Sequence, residues 1–152
     1  MKKFLTIMVI CVFAAAIAFA QEAKKPKTAQ EYISDLASKD ETAVMEAADW
    51  LGKEEEKGAV PELMRLVQQA NSAKVRMYAI IALGLIKQED SVDVLNNALV
   101  SDSDADVRYS AILAISRVGS TKSIDALKKA KETETDPFIK DYIAKLEAKL
   151  KK

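Results

Sequence analysis

The chain has no histidine, one cysteine, three prolines and four glycines in 152 residues, and aromatics make up only 6%. Each shortage excludes something. Without histidine there is no His-based triad, no imidazole metal site and no imidazole proton shuttle. A single cysteine allows no disulfide within the chain. Few breakers beside abundant Ala, Leu, Lys and Glu point to helices. Neither sign of charge prevails, because 23 Lys+Arg face 23 Asp+Glu, so the balance predicts no general nucleic-acid-binding surface. With 30% charged and 49% hydrophobic residues, the composition is that of a globular protein and not a disordered one.

Long apolar runs are absent except at the start. Lys2 and Lys3 precede an apolar stretch from Phe4 to Ala20 that closes on Ala18-Phe19-Ala20. A basic n-region, a short apolar h-region and an A-x-A end predict a cleaved secretory signal over residues 1–20, cut before Gln21. The run sits at the lower edge of spanning length, and no stop-transfer pattern follows it. Cys11 lies inside the run after Ile10, which does not suit a lipobox. The predicted product is exported, periplasmic or secreted, with no integral span. It would carry 21 basic residues against 23 acidic ones, a net charge of −2, and no cysteine. Residues 21–27, Gln21 to Lys27, read as a polar flexible leader. Residues 28–150 read as one domain and 151–152 as a basic tail.

The domain repeats itself every 32 residues. Val60, Val92 and Ile124 share one column; Leu63, Leu95 and Leu127 another; Ala47, Ala79, Ala111 and Ile143 a third. Leu51, Leu83 and Ile115 form a fourth, Gly52, Gly84 and Ser116 a fifth, and Val75-Arg76 recurs as Val107-Arg108. A helical bundle shares the 3.6-residue period but not this fixed frame. Each unit parses into two helices. The first carries one apolar face, as in Val60, Leu63, Leu66 and Val67; the second is longer, as in Val75, Ala79, Ala82, Leu83 and Ile86. Asp40, Ser72, Asp104 and Asp136 stand where N-caps belong, and Thr28 to Glu31 is a capping-box pattern. The expected helices lie near 28–38, 41–57, 59–70, 74–87, 91–100, 105–118, 122–131 and 137–150. No hairpin can bury its own apolar face, so the fold class is all-α, a right-handed solenoid of about four stacked hairpins.

The run Val75-Arg76-x-x-Ala79-x-x-Ala82-Leu83-Gly84-x-Ile86, with its counterpart from Asp104 through Val107-Arg108 to Val118, resembles HEAT repeats, in the short form also found in phycobilisome lyase subunits. The likeness covers 28–150. It weakens in the outer units, where Val44 and Lys140 replace the column arginine, as capping units require. It implies a binding scaffold and not a catalyst. One enzymatic relative, deoxyhypusine hydroxylase, holds iron through His-Glu pairs, a site that a chain without histidine does not copy. No cofactor is expected. Asp102-Ser103-Asp104-Ala105-Asp106 begins like a calcium loop but lacks its Gly and closing Glu, so it reads as a solvated loop and cap. No phosphate loop exists, because Gly52, Gly84 and Gly119 fall late in helices or at turns.

Two sets of residues are candidates for function. Arg76, Arg108 and Lys140 form a column that either grips an acidic partner or, as the resemblance implies, ties neighbouring loops through Asp104 and Asp136. On the second helices, opposite the core, stand Met45, Met77, Ile81, Tyr109 and Leu113. The resemblance places these helices on the concave surface. There they form an apolar stripe, strongest in the centre and fading to Asp49 at one end and to Asp141 and Lys145 at the other. Such a stripe is either a protein-binding groove or a face covered by adjacent helices. Trp50 stands in the column of Ala82 and Ala114 and is expected to fill the end of the core. The sequence therefore predicts a non-enzymatic scaffold that docks another protein along its concave face. A self-associating structural component of the cell envelope, or an accessory subunit of an envelope enzyme, is the alternative.

Overall fold

The computed structural model describes residues 26–151, and among them lie eight α-helices joined by short turns and no strand. They are α1 (Ala29–Asp35), α2 (Glu41–Lys53), α3 (Val60–Gln69), α4 (Ala73–Ile86), α5 (Val92–Ser101), α6 (Ala105–Val118), α7 (Ile124–Thr133) and α8 (Pro137–Leu150). The expected export signal and most of the leader lie outside the described residues. No helix among those described is long and apolar enough to cross a membrane.

Side chains cap four of the eight helix starts. Thr28 Oγ1 accepts from the Glu31 amide at 3.3 Å while Glu31 accepts from the Thr28 amide at 2.7 Å, closing the expected capping box. Asp40, Asp104 and Asp136 accept from amides of the first turns of α2, α6 and α8. Ser72 makes no such bond, so α4 starts without a side-chain cap. Each of α3, α5 and α7 is entered through one 3₁₀ turn, at Lys57–Ala59, Glu89–Ser91 and Thr121–Ser123. Helix α2 ends at Lys53, four residues earlier than expected, because Glu55 turns left-handed at φ 51°. Lys87 (φ 56°) and Gly119 (φ 73°) do the same at the later positions of the same column. Only Gly119 takes that conformation without a Cβ penalty.

The 32-residue columns are the core. Leu63, Leu95 and Leu127 are fully buried, as are Ala47, Ala79, Ala111 and Ile143. Full burial of each large aliphatic side chain contributes about 1.5–3 kcal/mol. The second helices of successive units lie side by side, α2 on α4 and α4 on α6, more intimately than α3, α5 and α7 do. Glycine permits this. A Cβ on Gly52 would fall 2.7 Å from Ala82 Cα, and one on Gly84 would fall 2.8 Å from Ala114 Cα. This close approach runs along α2, α4 and α6, the layer that the resemblance to HEAT repeats assigns to the inner side. Trp50 closes the N-terminal end of this layer, stacked on Tyr32 with centroids 4.2 Å apart.

The last pair breaks the pattern. Helix α8 packs on α7 and barely touches α6. At the positions held by Gly84 and Ala114 in the preceding pair stand Ser116 and Leu146, which are too large for the same approach. Glu147 instead fastens α8 to α7. Its buried carboxylate accepts from Lys131 at 2.8 Å and also from Lys151. Those hydrogen bonds hold its carboxyl down at about 2.

Candidate functional site

The arginine column does tie loops together, but through a different acid. Arg76 donates from Nε and Nη2 to Asp102 at 2.7 and 2.8 Å, and from Nη1 to the Ala70 and Asn71 carbonyls at 2.9 and 3.0 Å. One guanidinium thus joins the loop before α4 to the loop before α6. Burial works to raise the Asp102 carboxyl; Arg76 and the Asp104 amide outweigh it and hold it below the ordinary carboxylate range. Asp104, the partner expected from the sequence, is occupied as the cap of α6. Arg108 repeats only half of this rung. It donates from Nη1 to the Asp102 and Ser103 carbonyls, while Glu134, one repeat after Asp102, turns to the Thr135 and Asp136 amides. Lys140 is exposed and joins no rung among the described residues. The ladder therefore has one complete rung, at Arg76.

The residues of the expected stripe are unevenly covered. Met45, Met77, Ile81 and Leu113 are half-buried, and the two methionines pack against the core. Tyr109 stands out at 43% exposed. The apolar character does not fade after it, contrary to the expectation from Asp141 and Lys145. Phe138 is 85% exposed and Tyr142 37%, and these three are the exposed large hydrophobics of the described residues. Asp141 and Lys145 pair with each other at 2.6 Å on α8.

The three aromatics face one cavity. Where α8 swings away from α6, a notch of about 510 Å³ opens between the first turns of the two helices, lined by Tyr109, Phe138, Ile139 and Tyr142. Asp106 and Asp136 stand at its edge. Asp136 Oδ1 accepts from the Phe138 and Ile139 amides at 2.8 and 3.2 Å, which fixes the turn that carries Phe138. Among the described residues neither Asp106 nor Asp136 has a basic partner within ion-pair distance. Wheel positions 32 residues apart miss Phe138 and Tyr142, because they fall in the columns of Asp106 and Ser110 and not in those of Tyr109 and Leu113. Their i, i+4 spacing on α8 was the signal that could have found them.

Among the described residues no three Cys, Asp or Glu side chains gather as a metal would require. Asp49, the charged end of the stripe, is bound to Lys53 at 2.6 Å on the surface.

A family model for HEAT repeats matches residues 60–146, more than half of the chain. The chain belongs to the HEAT-repeat family. Among solved structures it is similar to the complex of CpcE and CpcF of phycocyanin lyase from Nostoc sp. PCC7120, at 26% identity and a TM-score of 0.66. That match covers 74% of this chain but 45% of the other, so the chain spans under half the length of the solved one. No curated protein matches.

Proposed function

We propose that this HEAT-repeat protein is an exported, non-enzymatic scaffold that holds another protein against its inner face. The observation that carries the reading is the exposed aromatic surface of Tyr109, Phe138 and Tyr142 around one notch, beside the incompletely buried Met45, Met77, Ile81 and Leu113. Exposed apolar surface edged by charge is what a protein interface offers before it is covered. Methionine reshapes to suit a partner, and tyrosine offers contact area at small entropic cost. The solved relative, a complex of CpcE and CpcF, supports assembly with another protein as the working mode. Export rests on residues 1–20 and their A-x-A end. The test is crosslinking and co-purification from cells expressing the full chain, beside an Ile81→Glu, Leu113→Glu variant shown to be folded by circular dichroism. Recovery of one protein by the wild type and its loss in the variant supports the scaffold. Equal recovery by both overturns it.

The alternative is self-association through the same surface, favoured by the exposure of Phe138. Sedimentation over a hundredfold concentration range separates the two readings.

A further inference from the structure

We propose that the notch between α6 and α8 receives an arginine-bearing segment of the partner protein. The guanidinium would lie over Tyr109, Phe138 and Tyr142 and pair with Asp106 and Asp136. The inference rests on the scaffold reading and deepens it.

Three observations converge on a cation. The cavity is walled by aromatic rings, whose faces carry negative potential and attract guanidinium or ammonium groups, the former also by stacking. Its edge carries Asp106 and Asp136, with Asp104 close behind as the cap of α6, and none of the three has a basic partner among the described residues. The helix starts do not cancel this charge. Two N-termini supply roughly half a positive charge each, against three carboxylates. The cations of α8 are directed elsewhere: Lys145 is held by Asp141, and Lys140 is not among the residues lining the notch. A cationic side chain with an apolar neighbour fits both halves of the site. An acidic segment would meet repulsion, and a purely aliphatic one would leave the carboxylates without a cation.

The geometry also gives the notch a size and a place. About 510 Å³ accommodates two or three side chains of a peptide and not a folded surface. It continues the half-buried row at Tyr109, so a segment lying along Leu113 would end there.

The test selects random dodecapeptides displayed on phage against the full chain, expressed with residues 1–20 in place and purified as the host leaves it. Affinities of the recovered peptides are then measured by fluorescence anisotropy. The expected peptides carry arginine or lysine beside an apolar residue and lose binding when glutamate replaces the base. Tyr109→Ala with Phe138→Ala should weaken them at least tenfold. Asp106→Asn with Asp136→Asn, which keeps a capping side chain at the start of α8, should weaken them several-fold and flatten their salt dependence. Recovery of no peptide, of acidic or uncharged peptides, or of peptides indifferent to both variants overturns the proposal. So does a dimer in sedimentation that Phe138→Ala dissolves, since the notch would then hold a second copy. Failure here is distinct from failure of the scaffold. A partner lost with Ile81→Glu, Leu113→Glu but kept with the aromatic variant would sink the notch alone.

Discussion

The pair α4/α6 and the pair α6/α8 occupy equivalent places in the repeat, yet one is closed and the other open. In the first, Gly84 faces Ala114 so closely that a methyl group has no room. In the second, Ser116 and Leu146 take those places and the helices part. The difference recurs in the loops beneath. Arg76 completes a rung to Asp102, while Arg108 makes only the half that lies within its own loop. In this repeat protein the notch lies where the repeat fails to repeat. Interior units spend their surfaces on each other, and the unit that departs from the frame leaves surface exposed.

Gly84→Val is the strongest way to break the comparison. Overpacking against the Ala114 backbone should cost about 3 kcal/mol, a fall in Tm of roughly 10 °C for a domain of this size. Ser116→Val, at the equivalent place in the open pair, should cost less than about 1 kcal/mol. Thermal unfolding followed at 222 nm measures both. Equal losses would mean that the close approach is not what separates the two pairs.

Arg76→Ala comes next. Its ion pair with Asp102 has side chains 13% and 9% exposed, between the surface and the fully buried case, so removal should cost about 2–3 kcal/mol. Arg108→Ala removes two hydrogen bonds to carbonyls and should cost about 1 kcal/mol. Urea denaturation of the two variants gives the ratio directly, and an Arg108→Ala loss as large as that of Arg76→Ala would restore the uniform ladder.

The fold was legible because stacking forces every unit to bury the same columns. Leu63, Leu95 and Leu127 could be assigned to the core from spacing alone, and so could Ala47 and its successors. What stayed hidden depends on distances between units. The spacing marks Asp104 as a cap, but nothing in it says that Arg76 reaches two residues further back, to Asp102. The notch was hidden for the same reason. By column Tyr109 passes to Asp141 and the stripe ends in charge, whereas Phe138 and Tyr142 matter only once α8 has parted from α6. The sign of that departure was present in the sequence: Leu146 in a column where Ala82 and Ala114 stand.

The clasp that holds α8 on α7 predicts a pH dependence confined to the open end. Glu147 has its carboxyl depressed to about 2 by Lys131 and Lys151, against about 4.3 in an unfolded chain. A depressed carboxyl contributes stability that is complete above the unfolded value and is lost as pH falls from about 4.3 toward 2. Glu147→Gln should therefore lower Tm at pH 7 and converge on the wild type near pH 2. Hydrogen exchange at pH 7 should accelerate in α8 before it does in α4. A constant gap between the two proteins across that range would show that Glu147 acts by packing and not by charge.

The smallest expected effect on stability is the most informative about use. Phe138 lies in the first turn of α8 with 85% of its surface exposed, and it is absent from the set of hydrophobics packed against the core. Truncation to alanine removes almost no buried area and places a better helix former there, so Tm should move by less than about 2 °C. A large aromatic side chain kept in water contributes nothing that folding requires. If Phe138→Ala leaves stability unchanged and weakens capture of the basic peptides tenfold, the side chain serves binding. If Tm falls by 5 °C or more, Phe138 packs in solution and α8 closes on α6, and the contrast between the two helix pairs disappears with the notch.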